Sequence, residues 1–163
     1  MTGVMKISGA HWNSWSFPGG DAWSPWKVLS PALKIRDRPG AYVIGLPASR
    51  APLGRLRGAD PHGILDIGES AKLARRISDL RRCAEKPGER GHMAGWRLGS
   101  GGLLKHLGIT SADLRVSYCY AEPASKDEAY RLEGTILRGY FDLFGELPPL
   151  NYKFNWSAWV DDA

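Results

Sequence analysis

Two short β-prone segments follow one another in this chain with no helical pattern between them, and this arrangement constrains the fold more than any other feature. The first is Ala41-Tyr42-Val43-Ile44-Gly45-Leu46 and the second is Ile64-Leu65-Asp66-Ile67-Gly68. Both are apolar runs of strand length near glycine or proline. Residues 47–62 between them are rich in Pro, Gly and Arg, which predicts a long basic loop. Parallel strands need a crossover, usually a helix, so we expect these two strands to pair antiparallel.

Helical periodicity begins after the second strand. Ser70 is placed to cap a helix whose apolar residues Leu73, Ile77 and Leu80 recur at helical spacing. Residues 92–107 are apolar but interrupted by glycines. This pattern predicts one broken helix or two short ones.

A third strand and a long helix complete the pattern. Residues 114–120 alternate in polarity and predict a strand. Ser125 and Glu128 form a capping box, and Gly145 is a helix stop. The apolar stripe between them is Ala129, Leu132, Ile136 and Leu143. The order of elements predicts an α/β protein of the α+β type, with a small three-stranded, mainly antiparallel sheet flanked by helices.

The N-terminal residues 1–38 differ from the rest of the chain. They show no helical or strand period, and prolines and glycines separate their tryptophans, which are Trp12, Trp15, Trp23 and Trp26. Bare tryptophans would form a large apolar patch, so we expect an ordered extension whose indoles cover the main domain. Stacking on nucleic-acid bases is the alternative. The predicted units are therefore this extension, a main domain at 39–155 and a C-terminal tail at 156–163.

The charge distribution suits a polyanionic partner. The chain of 163 residues is long enough for one domain, and it carries a formal net charge of +5 with a pI of about 9.4. Most of the positive charge lies in two stretches, 34–57 and 72–90. Such stretches fit DNA, although the solvated faces of ordinary helices would carry similar charge.

Membrane, secretion and zinc signals are missing from the sequence. No apolar run approaches the roughly 20 residues that span a membrane, and the N-terminus lacks the apolar segment of a signal peptide. Cys83 and Cys119 lie far apart and form no CxxC pair, which predicts reduced thiols. The four histidines are scattered, which argues against structural zinc. We expect a cytoplasmic protein without a membrane partner.

Chemically competent residues occur in a particular order on these elements. Gly40-Ala41-Tyr42 opens the first strand, and Asp66-Ile67-Gly68 closes the second. Arg76 follows on the arginine-rich helix, Glu133 lies in the last helix, and Asn151 follows two prolines. In this order the residues resemble the motifs of the GIY-YIG nuclease family.

The resemblance implies a metal-dependent DNA endonuclease that hydrolyses phosphodiester bonds. Glu133 would bind the cofactor, Mg²⁺ or Mn²⁺. Tyr42 would deprotonate or orient the attacking water, and Arg76 would stabilise the negative charge of the transition state. Asn151 would orient a group of the site by hydrogen bonding.

DNA binding is assigned to further arginines of the same helix. Arg75, Arg81 and Arg82 accompany Arg76 and are the predicted contacts to DNA phosphates. By analogy, a domain of this size needs a homodimer or an added module to cut both strands of a duplex.

Asp66 departs from the family pattern because it occupies the place of the tyrosine in the second motif. A carboxylate cannot copy a phenol, but it can ligate a metal or act as a base. We therefore include Asp66 in the predicted site in one of these two roles. A nucleic-acid-binding module that has lost catalysis is the first alternative function. A protein-interaction domain that uses the Trp-rich N-terminus is the second.

Each site residue also has a purely structural interpretation. Tyr42 could be a packed aromatic of a strand, and Arg76 a solvated cation. Glu133 borders the apolar face of its helix and needs a partner, either a cation or an arginine. Asp66 could cap the Ser70 helix, and Asn151 could cap a turn. Taken as an ordered set, the residues favour a catalytic site.

Overall fold

The computed structural model describes residues 23–158, which contain both strands and helices. The strands are β1 (Lys27–Val28), β2 (Gly40–Gly45), β3 (Leu53–Gly54), β4 (Ala59–Asp60), β5 (Ile64–Ser70) and β6 (Arg115–Tyr120). The helices are α1 (Leu73–Glu85), α2 (Met93–Leu98), α3 (Leu103–Leu107) and α4 (Lys126–Phe144). Two 3-10 turns lie at Ser111–Asp113 and Trp156–Ala158.

The main sheet has four strands in the order β1-β6-β2-β5, and every neighbouring pair is antiparallel. The expected antiparallel pairing of β2 with β5 is confirmed, and β6 is the expected third strand. β1 adds a fourth strand, so part of the predicted extension belongs to the main sheet. The stretch predicted as a plain loop contains the antiparallel pair β3 and β4. Strands of two residues carry too little periodicity to be predicted from sequence.

The helices confirm the pattern in outline and correct one boundary. Ser125 caps α4 by accepting a hydrogen bond from the Glu128 amide at 3.1 Å, and Gly145 ends it in the left-handed region at φ 74°. Residues 92–107 form two short helices, α2 and α3. α1 begins at Leu73 with no side-chain cap, so the prediction that Ser70 caps it is wrong. Ser70 instead extends β5, where it pairs with Gly40 of β2.

The core lies on both faces of β2. On one face Tyr42 and Ile44 pack with residues of α1, and on the other Ala41 and Val43 pack with residues of α4. This alternation follows from the two-residue period of a strand. The fold is therefore mixed α/β, with a mainly antiparallel sheet between two helical layers.

Two of the four tryptophans near the N-terminus lie within the described residues. Trp23 and Trp26 pack against the cluster on the α4 side, as predicted. Trp12 and Trp15 lie outside the described residues. Within residues 23–158 no helix is both long and apolar enough to cross a membrane. Cys83 and Cys119 are buried free thiols.

Candidate active site

A cavity of about 540 Å³ lies beside the β2–β5 pair. Six separate segments contribute to its wall: β2, β5, the first half of α1, the start of α2, α4 and residues 150–156. All of the residues predicted to be catalytic or metal-binding border it, namely Tyr42, Asp66, Arg76, Glu133 and Asn151. The fold therefore brings together residues that are more than 100 positions apart in the sequence.

Tyr42 is the centre of a buried hydrogen-bond chain. Its hydroxyl donates to Asp66 Oδ2 at 3.0 Å and lies 2.9 Å from His92 Nε2. His92 Nδ1 accepts a hydrogen bond from the Gly95 amide at 3.3 Å. A neutral imidazole with Nδ1 as acceptor carries its proton on Nε2, so His92 donates to Tyr42. The phenolic proton is therefore directed at Asp66.

The burial of these groups shifts the pKa of each one so that its neutral form is favoured. Burial raises the pKa of Asp66 to about 7, against the lowering effects of the Tyr42 hydrogen bond and Arg76. Burial, assisted by the positive charge of Arg76, lowers the pKa of His92 to about 3, which keeps the ring neutral. Burial and the charge of Asp66 raise the pKa of Tyr42 well above its ordinary value. At neutral pH, Asp66 is consequently the member of this hydrogen-bond chain that can take up a proton.

The Tyr42 ring approaches the opposite strand closely. Tyr42 pairs with Gly68 across β2 and β5, and a Cβ atom on Gly68 would lie 2.5 Å from Tyr42 Cζ. The glycine of the second motif is thus required by the position of the tyrosine of the first.

Arg76 supplies the positive charge of the cavity wall on α1. Burial raises the pKa values of Tyr42, Asp66 and Glu69, and the charge of Arg76 opposes this rise. Its guanidinium lies at the long limit of hydrogen bonding from the Gly91 carbonyl, at 3.5 Å. Arg76 is therefore close enough to act electrostatically on the whole cluster and is not held in an ion pair by any described residue.

Glu133 lies on the α4 wall of the cavity. Its Oε2 accepts a hydrogen bond from Asn155 Nδ2 at 2.7 Å, and no arginine of residues 23–158 forms an ion pair with it. Burial raises the pKa of Glu133 to about 7, and the negative charges of Glu69 and Asp66 add to this rise. Gly134 permits the contact, because a Cβ atom there would lie 2.9 Å from Asn155 Oδ1.

Two carboxylates of this wall are the candidate ligands for a divalent cation. Glu69 borders the same cavity, and its Oε2 is buried without a hydrogen-bond partner among the described residues. No group of three or more His, Cys, Asp or Glu side chains suited to a metal occurs in residues 23–158. A Mg²⁺ ion keeps several waters and needs only one or two carboxylates besides substrate phosphate. Glu133 and Glu69 are the residues that would hold it.

Asn151 contacts the backbone of β5. Its Oδ1 accepts from the Ile67 amide at 2.9 Å, and its Nδ2 donates to the Ile67 carbonyl at 2.8 Å. Arg97 holds the same loop by donating to the carbonyls of Pro149 and Leu150. Asn151 therefore fixes the strand that carries Asp66 and Glu69, and its amide makes no described hydrogen bond to another site side chain.

The arginines predicted to contact DNA lie apart from the cavity. Arg81 is paired with Glu85 at 2.6 Å, and Arg82 is paired with Asp79 at 3.1 Å and with Glu89. Arg75 is exposed, with its Nε 4.0 Å from Asp79. Much of the positive charge of α1 is consequently compensated by neighbouring acids.

Three residues of the site escape the sequence analysis. His92 precedes the α2 segment in the position of an N-cap, which was the only local signal. Glu69 directly follows the second motif and could have been considered from its position. Asn155 reaches Glu133 only because the C-terminal segment packs on Gly134, and no sequence pattern predicts that contact.

Comparisons with protein-family models, with curated proteins and with solved structures found no match. The resemblance to GIY-YIG nucleases therefore depends on the sequence motifs alone.

Proposed function

We propose that the protein is a metal-dependent endonuclease that hydrolyses phosphodiester bonds of DNA. The observation that supports this most is the convergence of Tyr42, Arg76 and Glu133 on one cavity from a strand and two helices. A proton-accepting group, a positive charge and a cation-binding carboxylate are the three components that phosphodiester hydrolysis needs.

Asp66 and Tyr42 together move the proton in this mechanism. The attacking water gives a proton to Tyr42 Oη while the phenolic proton passes to Asp66 Oδ2. The hydroxide forms a bond to phosphorus, the bond from phosphorus to the leaving oxygen breaks, and that oxygen takes a proton from solvent. His92 Nε2–H donates to Tyr42 Oη and holds the phenol oriented for this proton relay. The contact of Asp66 with Tyr42 supports the role of a base over that of a metal ligand.

Arg76 on one side and the carboxylates Glu133 and Glu69 on the other have different electrostatic roles. Arg76 stabilises the charge that develops on the phosphoryl oxygens. The divalent ion, when bound at Glu133 and Glu69, supplies Lewis-acid stabilisation of the same oxygens. Asn151 maintains the position of β5, on which Asp66 and Glu69 lie.

A cleavage assay tests the proposal. Supercoiled plasmid and single-stranded oligonucleotides are incubated with Mg²⁺ or Mn²⁺ and with wild type, Tyr42→Phe, Asp66→Asn or Glu133→Gln. We expect cleavage by wild type, a loss of about 100-fold or more in the Tyr42 and Asp66 variants, and no metal-dependent cleavage by Glu133→Gln. Asp127→Asn is the matched control, because this exposed carboxylate of α4 does not border the cavity.

Calorimetry with Mn²⁺ makes the outcome decisive. Wild type should bind the ion, and Glu133→Gln should bind it much more weakly. If neither protein binds Mn²⁺ and wild type cleaves no form of DNA, the endonuclease proposal fails. DNA binding without cleavage would instead assign the protein as a nucleic-acid-binding module.

A further inference from the structure

Exposed aromatic and apolar side chains are concentrated around the candidate active site. Large hydrophobic residues are rarely exposed in clusters on monomeric proteins unless they bind a partner. Of those that are exposed within residues 23–158, most border the site cavity or a second cavity next to it: Met93, Trp96, Tyr130, Tyr152 and Trp156. Val28 and Leu56 are exposed elsewhere.

The second cavity adjoins the first through His92. It measures about 410 Å³ and is lined by Arg90, Gly91, His92, Met93 and Trp96. His92 and Met93 also line the site cavity, so the two share a wall. Met93 is 55% exposed and Trp96 is 40% exposed. An apolar surface with an indole therefore begins one residue away from the imidazole that contacts Tyr42.

The C-terminal segment that lines the site cavity has exposed aromatic rings as well. Tyr152 is 70% exposed and follows Asn151 directly. Lys153 Nζ lies 5.8 Å from the centroid of the Tyr152 ring. Trp156, whose ring centroid lies 5.2 Å from that of Phe154, is also largely exposed at the cavity edge. Positive charge thus lies beside an exposed ring at Lys153 and Tyr152, and Arg90 and Trp96 line the second cavity together. We refer to these four residues as the rim.

The charges nearby favour an unpaired strand over a duplex. Proteins bind single strands by stacking bases on aromatic rings and by placing cations along the phosphates. A duplex hides its base faces and is bound mainly through phosphates, by surfaces with uncompensated lysine and arginine. Here Arg81 and Arg82 are ion-paired with acids, whereas Arg76, Arg90 and Lys153 lie beside the rings.

We infer that this rim is a binding site for single-stranded DNA, in which bases stack on Trp96 and Tyr152 on either side of the phosphate at the active site. The identity of the strand as DNA rests on the proposed function. The substrate would be single-stranded DNA or an unpaired segment of a DNA structure.

Binding is measured in EDTA, so that the result does not depend on cleavage. Fluorescence anisotropy compares a labelled oligothymidine with a duplex and an oligouridine of equal length, using the full chain. Wild type should bind the single DNA strand at least tenfold more tightly than the duplex. Trp96→Ala and Tyr152→Ala should each weaken that binding by about 5-fold to 100-fold, and Trp96→Phe should retain most of it. Leu56→Ala is the control, because Leu56 is 77% exposed and borders neither cavity.

The possible results separate this inference from the proposed function. Equal or tighter binding of duplex, or of oligouridine, overturns it. Unchanged affinity of both alanine variants also overturns it, and a loss of thermal stability in those variants would then assign the two rings to packing within the chain. Ring-dependent binding of the DNA strand without cleavage supports the inference while the proposed function fails. Cleavage of DNA by wild type, together with equal affinity for single-stranded DNA and duplex, supports the proposed function and overturns the inference.

Discussion

Asp66 combines burial with chemistry at the scale of a single residue. Only 5% of its surface is exposed, and the described hydrogen bond to its carboxylate comes from the Tyr42 hydroxyl. A buried carboxylate needs an opposite charge or several donors to remain ionised without penalty. Its raised pKa therefore means that the ionised form lowers the stability of the folded protein, which is a common property of catalytic groups.

The stability of the protein should reveal this penalty as a dependence on pH. The pKa of Asp66 is raised to about 7 in the fold, above an unfolded value of about 4. Between these pH values the folded state binds more protons, so its contribution to stability falls as pH rises from 4 to 7. Asp66→Asn should therefore be more stable than wild type at pH 8, by on the order of 2–4 kcal/mol. At pH 4 the two proteins should differ little.

Urea unfolding at both pH values measures this difference. His92 has the opposite effect on the pH dependence of stability. Its pKa is lowered from 6.5 to about 3 in the fold, so stability is lost as pH falls below 6.5. That contribution is common to wild type and variant and largely cancels in the comparison. An equal difference in the free energy of unfolding at pH 4 and pH 8 would show that Asp66 is not a penalised carboxylate.

At the scale of elements, the pairing of β2 with β5 builds the centre of the site. The register places Tyr42 opposite Gly68 and brings Asp66 within 3.0 Å of the phenol. The two motifs that stand out in the sequence are thus one structural unit, in which the glycine of one strand provides space for the ring of the other.

Gly68→Ala tests this unit. The added methyl group would meet the Tyr42 ring, so the ring must shift away from Asp66 and His92. We expect a loss of about 1–3 kcal/mol in the free energy of unfolding and a fall in cleavage rate comparable to that of Tyr42→Phe. Gly54→Ala is the matched control, because a Cβ atom at Gly54 meets nothing within 4 Å. Equal behaviour of the two variants in urea unfolding and in the cleavage assay would contradict the close approach.

The elements that the sequence predicts are those with local signals. β2, β5 and β6 have β-prone composition, and α4 has both its cap at Ser125 and its stop at Gly145. β1, β3 and β4 are pairs of residues whose structure comes from their partners, so no local signal exists. The boundary of α1 differs from the prediction because Ser70 continues the pairing of β5 with β2, which is a tertiary effect.

The same distinction applies to the site. Tyr42, Asp66, Arg76, Glu133 and Asn151 can be recognised because their order along the chain resembles a known pattern. Asn155 joins the site through the approach of a segment that is distant in sequence, whereas Glu69 directly follows the second motif. The number of arginines on α1 overstates the unpaired positive charge of that helix, since the acids that pair with Arg81 and Arg82 lie only three to seven positions away. That these arginines contact DNA stays a prediction.

At the scale of the whole molecule, the tryptophans of the described range divide into two groups. Trp26 lies 5.2 Å from the Arg115 guanidinium and 5.5 Å from the His62 ring, measured to ring centroids, and it packs on the α4 side of the sheet. Trp96 is exposed beside the active site. The indole of Trp26 therefore contributes to packing, whereas in our proposal the indole of Trp96 stacks on a base.

Single alanine substitutions should separate the two groups. Trp26→Ala should lower the free energy of unfolding by about 2 kcal/mol, less than the 3–5 kcal/mol of a fully buried aromatic because Trp26 is only partly buried. Its affinity for single-stranded DNA should be unchanged, since it borders neither cavity. Trp96→Ala should show the reverse pattern, with little change in unfolding and weaker DNA binding. Urea unfolding and anisotropy on the same two proteins provide the measurement. A loss of DNA affinity in Trp26→Ala at a temperature where it remains folded would place a nucleic-acid contact on the α4 side of the sheet and contradict this division.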